Sequence, residues 1–241
     1  MKTNSRIFTL LVMITLIAMD FPQDLKRLGY LAYLDQNKNS WKSNVVLATK
    51  AYQTKPDTEN KYQLALMEYG LLNATMKDQD EKLFDAYVDG LENRLEELAN
   101  DKTYGAEAKA LLSSVYGFKI AYSPWKGMML GGKSSDLLEE AMKNAPNSPI
   151  VQKMYASNQY FTPEMWGGDK DKALAAYLKS NQLFEQRNDT QNWMYLDNLA
   201  WIGILYQEMG HKAKAKETWQ KALTIEPNFT WVSKGLLPAY Q

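Results

Sequence analysis

Cysteine is absent from this 241-residue chain, and histidine occurs once, as His211. Without cysteine there can be no disulfide, thiolate nucleophile or cysteine metal site. A single histidine also excludes Cys/His catalytic pairs and multi-histidine metal centres. His211 itself stands in "EMGHKAKAK", which is typical of an exposed turn. We therefore expect no enzyme, no catalytic residues, no metal and no cofactor.

An excess of charge of one sign is also missing, because 28 Lys and Arg balance 28 Asp and Glu. A nucleic-acid-binding protein needs a basic stripe, so the balance argues against such a partner. Hydrophobic residues make up 45% of the chain and charged residues 23%, which indicates a folded globular protein rather than a disordered one.

Long apolar runs are lacking, except for "IFTLLVMITLIAM" at residues 7–19, which follows Lys2 and Arg6. This pattern is typical of a secretory signal peptide, and the run is shorter than the roughly 20 residues that span a bilayer. We expect residues 1–22 to be a signal peptide, with an uncertain cut between about Ala18 and Gln23. The protein would then be exported, in the first place to a bacterial periplasm, without a membrane span in its mature form. An uncleaved N-terminal anchor is the alternative.

Alternating β-type patterns are absent, whereas helix-length amphipathic segments recur after residue 20. The clearest unit, "LDNLAWIGILYQEMGHKAKAKETWQKALTIEPN", covers residues 196–228. Small residues at Gly203 and Ala215 let two helices cross closely, Trp219 fills the space beside them, and Pro227 ends the unit. Together with Leu199, Ile202, Tyr206 and Ala222, these residues fill every consensus place of the tetratricopeptide repeat (TPR), which the segment resembles.

Weaker copies of the unit begin near residue 24 and near Phe118 and Tyr155, and a fifth, divergent pair of helices lies between the first two. The resemblance to the TPR family implies an all-α, right-handed α-α superhelix, a TPR-like solenoid of about five helix pairs. "FTWVSKGLLPAYQ" would add a short C-terminal capping helix. We predict one domain at residues 23–241, with its strongest repeat at 196–229.

Two connections are longer than a repeat requires: "SPWKGMMLGGKSSD" at residues 123–136 and "YFTPEMWGGDKDK" at about 160–172. Each has a proline, an apolar tip, two glycines and a polar helix start. We predict helix-breaking loops, with φ > 0 at the glycines, a capping box of Asp136 and Glu139, and an N-cap at Asp169.

The first connection contains "GMMLGGKS", which matches the P-loop pattern of nucleotide-binding proteins. A P-loop needs a buried strand before the first glycine, whereas "KIAYSPWK" continues a helical pattern and breaks at Pro124. The second connection has the same two glycines followed by Asp169, which would repel phosphate. We interpret the match as chance.

The apolar tips have two interpretations: the side chains fold back onto neighbouring helices, as large apolar residues usually do, or they contact a partner. For the binding hypothesis we add three residues expected to face the concave groove of the last repeat. The candidate partner- or ligand-binding residues are Trp125, Met129, Leu130, Met165, Trp166, Asp197, Ile204 and Gln207.

"MWGGDKDKAL" in an exported repeat protein is similar to the T-component family of tripartite ATP-independent periplasmic (TRAP) transporters, although the lipoprotein cysteine is missing. The resemblance implies a non-enzymatic scaffold or adaptor for a protein partner, such as a periplasmic solute-binding or envelope protein. The alternative is a small-molecule-binding repeat protein with a pocket lined by the 123–136 and 160–172 loops. Both hypotheses are compatible with a homo-oligomer.

Overall fold

The computed structural model describes residues 21–239, and within them it contains helices and no strand. Ten helices of full length follow one another along the chain. They are α1 (Phe21–Asp35), α2 (Lys38–Thr54), α3 (Thr58–Thr75), α4 (Glu81–Leu98), α5 (Gly105–Tyr122), α6 (Gly127–Asn144), α7 (Pro149–Phe161), α8 (Lys170–Gln186), α9 (Trp193–Glu208) and α10 (Lys212–Ile225). The predicted all-α class is confirmed.

Polar side chains fix the starts of several helices. Asp57 accepts a hydrogen bond from the backbone N–H of Asn60, and Asp80 accepts one from Leu83. Ser148 caps α7, where Pro149 follows at the first helical position. Each cap satisfies a backbone donor that has no partner inside its own helix.

Consecutive helices pack as five antiparallel pairs: α1/α2, α3/α4, α5/α6, α7/α8 and α9/α10. The odd-numbered helices also contact one another in order, and α1 contacts α9. The odd-numbered helices thus form an inner layer, and the even-numbered helices cover it on the outside. The arrangement is the predicted α-α superhelix of five helix pairs, and its first and last pairs meet.

The meeting of α1 and α9 fills the middle of the inner layer with aromatic rings. The ring centre of Tyr33 lies 5.5 Å from that of Trp193 and 5.6 Å from that of Phe229. Trp193 also contacts Trp41 and Tyr69, with ring centres 5.6 and 6.2 Å away. These five side chains are all buried. The concave surface of the superhelix is therefore occupied by the protein's own residues.

Small residues sit where helices cross most closely. A Cβ atom added at Gly70 would lie 2.1 Å from the indole of Trp41, which packs from α2 onto α3. The predicted crossing of Gly203 and Trp219 in the last repeat has the same form, and Ala215 and Ala222 are fully buried beside it. The consensus residues of the repeat therefore pack as the sequence predicts.

The predicted loop at residues 123–136 was wrong for most of its length. A single 3₁₀ turn, Pro124–Lys126, ends α5, and α6 begins immediately afterwards at Gly127. Gly131 and Gly132 are helical rather than left-handed, and Asp136 lies inside α6, so the predicted capping box with Glu139 does not form. Two glycines cost a helix about 1 kcal/mol each, which the packing of α6 on α5 offsets.

Several other local predictions were right. Gly167 has a φ of 96°, whereas Gly168 lacks the predicted positive φ, and Asp169 caps α8 by accepting the N–H of Lys172. A short C-terminal cap is also present: Phe229 is buried, and a π-helical segment, Trp231–Leu236, leads into a last turn at Leu237–Ala239. No helix between residues 21 and 239 is long and apolar enough to cross a membrane. The predicted signal peptide lies almost wholly outside the described residues.

Candidate binding surface

The connections within the five helix pairs lie along one edge of the superhelix, which we call the turn edge. Lys38, after the first connection, forms ion pairs with Asp78 (2.7 Å) and Asp80 (2.6 Å) of the second. Tyr122, at the end of α5, donates a hydrogen bond to the carbonyl of Thr75 at the end of α3. Since α5 and α7 are neighbours in the inner layer, the third and fourth connections follow at the same edge.

The third connection presents its apolar residues on hydrogen-bonded 3₁₀ and helical backbone. Pro124 begins the 3₁₀ turn, in which the N–H of Lys126 bonds to the carbonyl of Ser123 at 2.9 Å. Met128 and Met129 then lie in the first turn of α6. Farther along the helix, the hydroxyl of Ser134 bonds to that of Ser113 at 2.8 Å, and this buried contact holds α6 against α5.

The fourth connection is also fixed by a 3₁₀ turn and a backbone hydrogen bond. Pro163 precedes a 3₁₀ turn, Glu164–Trp166, that carries Met165 and Trp166. The N–H of Asp169 bonds to the carbonyl of Gln159 at 2.9 Å, which ties the end of the connection back to α7. A Cβ atom at position 168 would lie 1.7 Å from the carbonyl oxygen of Thr162, so only glycine fits there.

The apolar side chains of both connections point into solvent instead of folding back onto the helices. Their exposed fractions are 62% for Trp125, 88% for Met128, 64% for Met129, 82% for Met165 and 75% for Trp166. We call these five residues the tips. Leu130, the remaining predicted tip residue, is half-buried against the core and does not belong to the exposed set.

The three predicted groove residues have different surroundings. Asp197 is buried in the inner layer, where it pairs with Lys153 and accepts a hydrogen bond from the Tyr33 hydroxyl at 2.8 Å. Its carboxylate therefore has no free side for a partner. Ile204 is half-buried against the core, and Gln207 is exposed near the turn edge.

Burial and the carboxylate of Asp197 raise the pKa of Tyr33 well above its usual range. Tyr33 is therefore a neutral donor throughout the physiological range. Lys153 also donates to the side chain of Asn198 at 3.2 Å. The concave surface is thus filled by a polar network around Asp197 as well as by aromatic rings.

Two surface depressions in the described part of the chain lie away from the tips. One is on the outer face between α2 and α4 and includes Val46 and Tyr87, and the other surrounds the connection between α4 and α5 near Lys102. Neither is lined by residues 123–136 or 160–172. Neither depression therefore supports the pocket that the small-molecule alternative predicts.

Two exposed residues near the tips were not among the predicted site residues. Met128 stands directly before the predicted Met129 in "GMML", and Phe161, at the end of α7, is 61% exposed. An aromatic residue directly before a Thr-Pro pair that ends a helix is a signal that could have identified Phe161 from the sequence.

A solved structure supports the assignment of the fold. TTC0263, a thermophilic TPR protein from Thermus thermophilus, matches with a TM-score of 0.58 over 91% of this chain and 96% of that chain, at 19% sequence identity. The fold is that of a TPR protein. The predicted resemblance to TPR repeats is confirmed at the level of structure.

A second solved structure, BtubC (BKLC) from P. vanneervenii, matches 81% of this chain and 74% of that chain at 18% identity, with a TM-score of 0.42. No family model matches the chain, and no curated protein matches it in sequence. In this TPR fold the concave surface, which repeat proteins use for binding, is filled, and the tips are exposed apolar side chains on two neighbouring connections.

Proposed function

We propose that this protein is a non-enzymatic, exported adaptor that binds a protein partner through the tips of its turn edge. The observation that carries the proposal is the exposure of five large apolar side chains on two neighbouring connections of a rigid repeat fold. Side chains of this size are seldom exposed together unless another molecule covers them.

The type of residue favours a protein as the partner. Tryptophan is enriched among the residues that dominate protein interfaces, and methionine adapts its shape to irregular apolar surfaces. Because the backbone of both connections is already fixed, little conformational entropy remains to be lost when a partner binds. Lys126 lies 6.0 Å from the ring centre of Trp125 and supplies a polar rim to that tip.

The apolar segment at residues 7–19 supports export, and the similarity of "MWGGDKDKAL" to the T-component family supports a solute-binding or envelope protein as the partner. Export is tested by fusing residues 1–22 to a reporter enzyme that is active only outside the cytoplasm. Activity of the fusion, and its loss when charged residues interrupt the apolar run, is the expected result. An inactive fusion contradicts export.

Binding is tested by capture from an envelope extract with three variants of equal fold. Trp166→Ala and Met129→Ala remove one tip from each connection, and Val46→Ala is the matched control. Val46 is an equally exposed apolar residue (65%), but it lies on the outer face of α2. We expect the captured protein to be lost with both tip variants and retained with the control. Equal capture by all variants would show that the tips do not bind it.

A further inference from the structure

Methionine is unevenly distributed between the surface and the interior of this protein. The chain has 12 methionines, of which those at positions 1, 13 and 19 precede the described residues. Among the methionines within residues 21–239, the exposed ones are Met128, Met129 and Met165, and all three belong to the tips. The others are buried or half-buried. The tips therefore hold every exposed thioether in the described part of the chain.

The buried methionines are closed off from solvent by their packing. Met154 is 1% exposed, and its sulfur accepts a hydrogen bond from the Tyr69 hydroxyl at 3.2 Å. The terminal methyl of Met67 packs so closely against Gly29 that a Cβ atom added there would lie 3.2 Å from it. A reagent in solution reaches such sulfurs only when the fold opens locally, which costs free energy. The thioethers of the tips are reached without any opening.

Exposed thioethers react with two-electron oxidants, and the chain contains no cysteine that would react first. With hydrogen peroxide, a lone pair of the sulfur attacks one oxygen atom and the O–O bond breaks. The sulfur keeps that oxygen and is oxidised by two electrons. The departing hydroxide takes up the proton of the transferred oxygen and leaves as water. The product, methionine sulfoxide, is polar where the thioether was apolar.

Oxidation at the tips changes the surface and leaves the backbone beneath it in place. The bonds that fix the two connections join main-chain atoms: Lys126 donates to Ser123, and Asp169 donates to Gln159. None of them involves a methionine side chain. A sulfoxide on a tip would have to be buried against the apolar surface of a partner, and burial of a polar group without a hydrogen bond is costly.

We propose that Met128, Met129 and Met165 are an oxidation site, at which hydrogen peroxide and related peroxides convert the tips to a sulfoxide form that no longer binds the protein partner. Reduction reverses the change: two thiols of a reductase become a disulfide, and the sulfoxide oxygen leaves as water. The effect on binding rests on the proposed function of the tips, whereas the selectivity of the oxidation does not.

The first test measures which methionines of the folded full chain react. The chain is treated with dilute hydrogen peroxide, quenched with catalase, digested with trypsin and analysed by mass spectrometry. Cleavage after Lys153 and Lys170 gives one peptide that carries both Met154 and Met165, so a buried and an exposed sulfur are compared within one molecule. We expect Met165 to be oxidised at least about tenfold faster than Met154.

The same difference should disappear in urea, where both sulfurs are exposed. In the folded chain, Met128 and Met129 should react as fast as Met165, and they share the peptide 127–133. Equal rates for Met154 and Met165 in the folded chain would overturn the proposal.

The second test measures the effect of oxidation on binding. The unaltered chain and the triple variant Met128→Leu/Met129→Leu/Met165→Leu are treated with peroxide, desalted and used for capture from an envelope extract. Leucine has nearly the volume of methionine and no sulfur to oxidise, so the variant is the matched control. We expect the treated unaltered chain to bind the captured protein at least about tenfold more weakly, and the variant to bind it as before.

Repair gives a further check on the same samples. Incubation with two methionine sulfoxide reductases, one for each sulfoxide epimer, should restore capture by the oxidised unaltered chain. Equal capture before and after peroxide, or an equal loss with the triple variant, would overturn the effect on binding.

A measurement without a partner separates this inference from the proposed function. Retention on a phenyl column reports the apolar surface of the chain, and we expect peroxide to weaken the retention of the unaltered chain but not that of the triple variant. Absence of capture by the untreated chain contradicts the proposed function alone. Unchanged retention of the unaltered chain after peroxide contradicts the oxidation site.

Discussion

The indole of Trp219 lies directly against Gly203, so that a Cβ atom added at position 203 would be 2.1 Å from Nε1 of Trp219. The same indole N–H donates a hydrogen bond to the carbonyl of Ala200 at 3.2 Å. The indole ring is therefore fixed both by its packing against Gly203 and by its hydrogen bond to Ala200. The close crossing of α9 and α10 depends on the absence of a single methyl group.

We expect Gly203→Ala to lower the free energy of unfolding by about 1–3 kcal/mol, because the indole must move and its hydrogen bond is strained. The measurement is urea unfolding followed by circular dichroism. Gly132→Ala is the matched control, since Gly132 is helical and a Cβ atom there meets nothing within 4 Å. The control should be unchanged or up to about 1 kcal/mol more stable. Similar losses for both variants would contradict the crossing as described.

The buried pair of Lys153 and Asp197 gives a second prediction. Replacing Lys153 by Met leaves the carboxylate of Asp197 buried with only the Tyr33 hydroxyl as a partner, and we expect a loss of about 3–5 kcal/mol. The double variant Lys153→Met/Asp197→Leu should be more stable than Lys153→Met alone, because no unpaired charge remains. A double-mutant cycle in urea measures the coupling, and strictly additive losses would show that the two groups do not interact.

Acid should destabilise the protein partly through its helix caps. The pKa of Asp169 is lowered because its carboxylate accepts the backbone N–H of Lys172, and that of Asp80 is lowered first by the Lys38 side chain. A carboxyl group with a depressed pKa in the folded state stabilises the fold above its unfolded pKa of about 3.9. That contribution disappears as the pH falls through the lower, folded value.

The measurement is urea unfolding at a series of pH values between about 6 and 3. Asp169→Asn keeps an acceptor for the cap but removes the charge, so its stability should fall less steeply with acid. Asp136→Asn, an exposed position inside α6 without a cap, should follow the unaltered protein. Parallel curves for all three proteins would show that the cap at position 169 does not contribute.

The P-loop match is expected to have no function. Residues 127–133 are part of a continuous helix, so their backbone N–H groups cannot surround a phosphate. We expect no nucleotide binding by the unaltered chain in equilibrium dialysis with ATP and magnesium. Saturable binding that Lys133→Ala abolishes would contradict the structure of this segment.

The repeat architecture could be predicted because each repeat carries its own packing signal. Gly203, Ala215, Trp219 and Ala222 lie within one helix pair, and local spacing is enough to recognise them. The paired glycines of α6 led to the wrong prediction of a loop, because glycine permits a turn without requiring one. At Gly167, by contrast, a preceding proline and the following Asp169 cap fix the left-handed conformation.

The candidate site could be predicted only in part for a related reason. The two connections can be recognised in the sequence, but only the structure shows that four of their predicted residues are exposed: Trp125, Met129, Met165 and Trp166. The burial of Asp197 depends on Tyr33, 164 residues away, and on Lys153 in a different repeat. No local sequence pattern predicts a contact between the first and last helix pairs.

That contact changes how the molecule should unfold. An open repeat array behaves as a row of units that can melt one by one from its ends. Here the terminal units hold each other: Tyr30 donates to Glu226 at 3.1 Å, and Tyr33 donates to Asp197. Loss of α1 would therefore weaken α9 and α10 at the same time. We therefore expect the five helix pairs to unfold as one cooperative unit, and a further pair inserted between them would break the contact of α1 with α9.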